Sequence, residues 1–186
     1  YEDFIFFNLI PATIGGAITQ NAGTGVNQEI RDVCMEIRVF DTEMNRELIL
    51  TNEECQFEYR NSIVKKSKGR YIVLSGIFDN KNINNDIEGL MLNMKDRIHE
   101  KSSREPMGYS FGSTFKNNSL PAWECVKSIS KFLDKRENVF YSDKHYNWII
   151  NLNRSEGKDI VNLIRDTQKL VQEKLDIDLE NEVTII

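Results

Sequence analysis

Apolar and polar residues alternate along 33–40, placing Val33, Met35, Ile37 and Val39 on one face of a half-buried strand. Residues 42–45 supply a hairpin turn and 47–50 a return strand, after which Thr51 and Glu54 spell the capping box of a short helix. Residues 71–78 are dense in β-branched and aromatic side chains and predict a further strand, closing a mostly β region. The period then changes. Ile87, Leu90, Met91, Met94 and Ile98 recur at helical spacing, so a helix is expected over 86–100, with 80–85 as the linker before it. Pro121 suits the first position of a second helix whose apolar face is Ala122, Val126, Ile129 and Leu133. A third helix is expected with Ser155 as its cap, Glu156 and Asp159 at its positive end, and Ile160, Leu163, Ile164, Thr167, Val171 and Leu175 as its packing stripe. Strands at 139–141, 148–152 and 182–186 give the second half an α+β character.

Composition narrows the class. With 186 residues, 40% hydrophobic and 28% charged, the chain buries a real core as one large domain or two small ones. A net charge of -5 with 24 scattered Lys and Arg argues against a nucleic-acid partner. No apolar run approaches the roughly 18 residues of a membrane span, so no membrane partner is expected. Cys34, Cys55 and Cys125 are far apart, odd in number and without a CxxC or neighbouring His. They imply neither a disulfide framework nor a metal site, and a reducing, cytoplasmic compartment. The chain starts at Tyr1 without a signal-peptide core and reads as a fragment.

The candidate chemistry lies in five segments. Ile10-Pro11-Ala12-Thr13-Ile14-Gly15-Gly16-Ala17, running on to Asn21-Ala22-Gly23, is a glycine-punctuated stretch that marks tight turns or a backbone approached closely by another group. Exposed N–H groups in such a loop bind anionic oxygens. Then come Asn52 to Ser62 (NEECQFEYRNS), Tyr109 to Asn117 (YSFGSTFKN), Ser142 to Asn151 (SDKHYNWIIN) and Leu179 to Ile186 (LENEVTII). Taken singly, each also reads as a turn, a solvated Arg or a surface Glu. In this order they resemble the MurB family, whose corresponding segments run IPGxxGGAxxxNAG, NEECxFxYRxS, YPSAGSxFKNP, VSxKHxNFIVN and LExEVxII. The resemblance extends from about Asn8 to Ile186.

The resemblance implies the second lobe of a vanillyl-alcohol-oxidase/PCMH-type FAD-binding domain over 1–80, followed by the MurB C-terminal substrate-binding domain over 81–186. It implies NADPH-dependent, FAD-mediated reduction of UDP-N-acetylenolpyruvoylglucosamine to UDP-N-acetylmuramate for peptidoglycan, with FAD as cofactor and NADPH as co-substrate. By the same resemblance Arg60 binds the substrate carboxylate and stabilises the enolate, Ser113 is the general acid, and Glu182 works with them where charge develops. Ile10, Pro11, Thr13, Ile14, Gly15, Gly16, Ala17, Asn21 and Gly23 would line the flavin; Tyr59, Lys116 and Asn117 would face the nucleotide-sugar. His145 and Lys144 are read as structural. The family's N-terminal lobe, with its diphosphate loop, is not in the sequence and is the implied partner that completes the flavin site. Departures occur at Ala12 for Gly, at Thr24-Gly25-Val26-Asn27, before Gly112, and after Asn117. They keep two alternatives open: a nucleotide-sugar binder without catalysis, and an enzyme acting on another sugar nucleotide.

Overall fold

A computed structural model describes residues 2–24, 28–79, 86–134, 136–152 and 155–185; the expected linker at 80–85 and the departure at 25–27 lie outside the described residues. The chain divides into two compact units, Tyr1–His99 and Glu100–Ile186, each mixed in α and β structure.

The first unit opens with a 3₁₀ helix, Glu2–Leu9, that inserts Phe6 fully into the core. Helices α1 (Ile14–Gln20) and α2 (Ile30–Val33) follow, then strands β1 (Cys34–Asp41) and β2 (Arg46–Thr51), helix α3 (Ile63–Lys66) and strand β3 (Tyr71–Phe78). The strands form an antiparallel sheet in the order β2-β1-β3. Its inner face packs Ile37 and Val39 with Ala17 and Ile18 of α1, Ile30 and Val33 of α2, and Val64 of α3.

β1 keeps the expected inward Ile37 and Val39 and departs from the expected alternation only at its start. A register shift between Cys34 and Glu36 in the pairing with β3 adds a residue at the strand start. Cys34, Ile37, Val39 and Asp41 therefore point inward, while Met35 is 53% exposed and Val33 is buried from α2. The hairpin forms where expected, because Asp41 Oδ1 accepts from the N–H groups of Glu43 (3.0 Å) and Met44 (3.1 Å) and Asn45 takes φ 50°. The Asp41 side chain is fully buried and receives Arg70 through Nε and, at 2.7 Å, Nη2. That guanidinium, aided by the two backbone donors, holds the carboxyl down at about 2. Thr51 and Glu54 make their reciprocal bonds, Thr51 N–H to Glu54 Oε2 at 2.8 Å and Glu54 N–H to Thr51 Oγ1 at 3.3 Å. They enclose one turn and no helix, because Gln56 swings to φ 47° just after Cys55 N–H bonds the Thr51 carbonyl.

The division between units falls inside α4 (Ile87–Arg104), which Asp86 starts by accepting from Gly89 N–H at 2.9 Å. The helix is longer than expected, and none of its side chains is buried despite the apolar stripe. Strong helix formers and the Glu100–Arg104 and Lys101–Glu105 pairs carry it instead.

Helix α5 (Ala122–Ile129), strands β4 (Val139–Tyr141) and β5 (Ile149–Asn151), and helix α6 (Gly157–Leu175) complete the second unit. β4 and β5 pair antiparallel. Val126 and Ile129 of α5, Val139, Ile149, and Leu163, Ile164 and Val171 of α6 share its core with Phe115. Pro121 is the cap of α5 and not its first residue, since its ψ of 127° is extended; the N–H of Glu124 reaches its carbonyl. Glu156, not Ser155, caps α6, because Ser155 exchanges two hydrogen bonds with the Asn151 side chain and stays in the loop. The C-terminal strand is reduced to a single bridge between Phe115 and Asn181. Its anchor is Gln168 of α6, whose amide donates to Leu179 O (2.8 Å) and Asn181 Oδ1 (3.2 Å) and leaves the tail one rung of ladder.

Burial pushes all three thiols up, Cys34 to about 11 and Cys55 to about 12. Among the described residues no helix is long and apolar enough to cross a membrane, and no three His, Cys, Asp or Glu group as a metal ion would require.

Candidate functional site

The glycine segment is not a tight loop. Thr13 caps a helix: its Oγ1 accepts from Gly16 N–H at 3.1 Å and its carbonyl from Ala17 N–H at 2.9 Å. Gly15 and Gly16 thus lie in the first turn of α1, where each costs about 1 kcal/mol against Ala. Burial of Ala17 and Ile18, and a left-handed stop at Asn21 (φ 44°), outweigh that cost. At Gly15 a Cβ would sit 3.7 Å from Val73, an ordinary contact, so packing inside the unit does not demand a bare backbone there. Pro11, Thr13, Ile14 and Gly16 are exposed beside it and Ile10 is half-buried.

Asn21 has a wholly buried side chain that staples three segments. Its Nδ2 donates to Glu29 Oε2 (3.0 Å) and Glu58 O (2.9 Å), and its Oδ1 accepts from Arg31 N–H (3.0 Å). Gly23 bridges to Glu29, and a Cβ there would meet Gln28 O at 2.6 Å and Glu29 Cγ at 2.7 Å, so only glycine fits.

Tyr59 and Arg60 form the tip of a two-residue turn closed by paired Glu58 and Asn61 hydrogen bonds of 3.0 and 3.1 Å. Arg60 occupies the third turn position at φ 53°, a place that favours glycine. A non-glycine residue there costs on the order of 1 kcal/mol, a strain that clusters at functional sites. Its guanidinium donates from Nη2 to Gly23 O at 2.9 Å, lies 3.6 Å from Glu29 Oε1 through Nη1, and stacks 5.0 Å over the Tyr59 ring. Two residues on, the buried Ser62 ties the turn down: it donates to Thr19 O at 2.7 Å and caps α3 through Lys65 N–H.

In the second unit, Ser113 bridges to Trp148 and follows Gly112, whose φ of 84° suits glycine. Ser113 is half-buried, and among the described residues its hydroxyl has no hydrogen-bond partner. The backbone around it is held from both sides. Thr114 N–H donates to Asn147 O and Glu182 N–H donates to Thr114 O, each at 2.8 Å. The buried Asn147 side chain then imitates a neighbouring strand: Phe115 N–H donates to its Oδ1 at 3.0 Å, and its Nδ2 donates to Phe115 O at 2.8 Å. The Ser113 segment is therefore bonded to Asn147 on one edge and to the segment that bears Glu182 on the other. Thr114 Oγ1 is buried with no partner among the described residues. Lys116 pairs with Glu180, and Asn117 Oδ1 accepts from Ala122 N–H at 3.0 Å, which caps α5 from outside. Among the described residues His145 donates no side-chain bond to this strand; burial lowers its pKa, and its Nδ1 accepts from Asn147 N–H at 3.3 Å.

The first unit thus holds Arg60 and Tyr59 with the 10–23 segment, and the second holds Ser113, Lys116, Asn117 and Glu182. Glu29 and Asn147 were not among the residues expected at the site. Asn147 lies within the Ser142–Asn151 segment, whereas nothing in the sequence singles out Glu29 before the fold sets it against Arg60.

Residues 102–186 match the family described as UDP-N-acetylenolpyruvoylglucosamine reductase, C-terminal domain. A UDP-N-acetylenolpyruvoylglucosamine reductase of Caldanaerobacter subterraneus subsp. tengcongensis is 35% identical over 98% of the chain, and that of Clostridium tetani 36% identical over 100% of it. The crystal structure of UDP-N-acetylenolpyruvylglucosamine reductase (MurB) from Thermus caldophilus superposes with a TM-score of 0.79 at 27% identity, over 97% of this chain and 63% of that one. Residues 102–186 belong to the MurB C-terminal domain family, and the chain is similar to MurB reductases along nearly its whole length. It spans 59% of the length of the Caldanaerobacter and Clostridium tetani MurB relatives. The family match over 102–186 covers all four second-unit candidates, Ser113, Lys116, Asn117 and Glu182.

Proposed function

We propose that the chain serves the reduction of UDP-N-acetylenolpyruvoylglucosamine to UDP-N-acetylmuramate, with FAD as cofactor and NADPH as co-substrate. The observation that carries this reading is the backbone bracing of the segment that bears Ser113: Thr114 N–H bonds Asn147 O, and Glu182 N–H bonds Thr114 O, each at 2.8 Å. Bracing of this kind suits a proton donor, whose worth depends on being held in place. The residues present fit a flavin at the 10–17 segment: an added Cβ at Gly15 would meet only an ordinary contact with Val73, so packing inside the unit does not require its bare backbone. Pro11, Thr13, Ile14, Gly15 and Gly16 would hold it in the first unit, Ile10, Ala17, Asn21 and Gly23 shaping the backbone behind them; the remaining surface would come from the N-terminal lobe of the family. When bound, the flavin supplies the hydride chemistry.

The chain's own residues then handle charge and proton. Arg60 takes the substrate carboxylate and stabilises the negative charge of the enolate as it develops. Ser113 Oγ gives its proton to the substrate carbon, and Glu182, on the segment whose N–H bonds Thr114 O, works with Arg60 and Ser113 where charge develops. Tyr59, Lys116 and Asn117 contact the nucleotide-sugar. A second reading, a different sugar nucleotide, draws on the segment after Asn117, where Asn118-Ser119-Leu120-Pro121-Ala122-Trp123 departs from the family's pattern.

The test uses Ser113→Ala in the flavin-loaded full-length protein. Stopped-flow absorbance should show bleaching by NADPH at the parental rate, and recovery with UDP-N-acetylenolpyruvoylglucosamine slowed by roughly 10²- to 10⁴-fold, the usual worth of a positioned general acid. Equal slowing of both halves would make Ser113 structural. No slowing of either would remove it from the mechanism.

A further inference from the structure

Arg60 is held in a demanding way. Its backbone sits at φ 53° on the tip of a turn, and its side chain is only 13% exposed, so its direction depends on what surrounds the guanidinium. One support is the Gly23 carbonyl, 2.9 Å from Nη2. A second is Glu29, whose side chain is 14% exposed and whose Oε1 stands 3.6 Å from Nη1. That distance is an ion-pair distance, longer than the about 2.7–2.9 Å of a charge-assisted hydrogen bond, so Glu29 acts as an anchoring charge beside the guanidinium.

Glu29 is itself fixed from several sides. Its Oε2 accepts from Asn21 Nδ2 at 3.0 Å and pairs with Arg31 Nε at 3.1 Å, and its backbone N–H donates to Asp32 Oδ2 at 2.8 Å. The carboxylate reaches Arg60 only because Gly23 has no Cβ, which would lie 2.7 Å from Glu29 Cγ. Asn21, Gly23 and Glu29 thus form a frame built around one guanidinium.

From this frame we infer that Glu29 is a positioning residue for Arg60. It fixes the plane of the guanidinium so that an incoming carboxylate meets a preset donor face, and it does not itself touch substrate. The inference rests on the reading of Arg60 given under the proposed function. Loss of the anchor lets the guanidinium rotate in its site, and a misplacement of about 1 Å costs on the order of 10²-fold in rate. The removed negative charge does not weaken attraction for an anionic substrate.

The experiment is a double-mutant cycle in the flavin-loaded full-length protein, with Glu29→Gln, Arg60→Met and the pair, assayed with UDP-N-acetylenolpyruvoylglucosamine. Glu29→Gln keeps the shape of the side chain and should lower kcat by roughly 10- to 10²-fold without raising KM. In the Arg60→Met background it should change nothing further. Unchanged kcat in Glu29→Gln, or an equal loss in both backgrounds, overturns the inference while leaving the role of Arg60 intact. Full activity in Arg60→Met alone overturns the reading on which the inference stands. If Glu29→Gln does not fold, Glu29→Asp, which keeps the charge but withdraws it by one methylene, should show the same fall in kcat at constant KM; parental kcat in that variant also overturns it.

Discussion

Asn147 offers the most direct test of how the second unit holds its candidate proton donor. Its amide makes two hydrogen bonds to one residue, accepting from Phe115 N–H at 3.0 Å and donating to Phe115 O at 2.8 Å, and it is 3% exposed. Asn147→Ala would orphan two buried backbone groups. Each such group costs about 1–3 kcal/mol, so the unit should lose about 2–6 kcal/mol, a large share of the stability of a small domain. Asn147→Asp should behave differently. An ionised carboxylate keeps the bond from Phe115 N–H but sets a charged oxygen against Phe115 O, so its pKa is raised in the folded state. A group so raised stabilises the fold fully below its unfolded pKa of about 3.9 and loses that contribution as pH rises through the folded value. The deficit of Asn147→Asp relative to the parent should therefore shrink as pH is lowered from 7 toward 4, while that of Asn147→Ala stays flat. Both tryptophans of the chain, Trp123 and Trp148, lie in this unit, so urea titrations followed by tryptophan fluorescence report it directly. A loss below about 1 kcal/mol for Asn147→Ala, or a deficit for Asn147→Asp that grows toward acid, would refute the view that this side chain completes the ladder.

In the first unit, Gly23→Ala should cost about 1–3 kcal/mol as an overpacking change, since its Cβ would lie 2.6 Å from backbone at Gln28; thermal melts measure it, and a parental Tm would show that the segment yields freely. The buried Asp41 carboxyl, held at about 2 by Arg70, stabilises the fold above its ordinary value of 3.8, and this contribution should be lost as pH falls from about 4 through about 2. Asp41→Asn should flatten acid unfolding across that window, and an unchanged acid profile by circular dichroism would count against the pair.

Local signals placed most elements. Residues 71–78 became β3 and 139–141 became β4 over their full expected lengths, because β-branched and aromatic runs leave few alternatives. The stripe of α6 buried Leu163, Ile164, Thr167 and Val171, since helical period and burial agree there. Candidate residues were legible too, as motif types in a given order. Signals that depend on partners did not survive unaided. The alternation in β1 held at Ile37 and Val39 but broke at Met35, because a bulge against β3, a strand some thirty residues away, decides which side chains at its start face the core. The T-x-x-E box formed its bonds yet made one turn, because the left-handed Gln56 ended it. The glycine pair that reads as a loop became the start of a helix, since Thr13, Asn21 and the burial of Ala17 and Ile18 act together. Glu29 shows the limit most clearly: as a residue type it is one acid among 29, and only the closure of Gly23 onto it brings it to Arg60. Periodicity and propensity are properties of neighbours along the chain, and the sequence carries them by itself. Register, bulges and the pairing of distant charges depend on which surfaces exclude water together, and those exist only once the chain is packed.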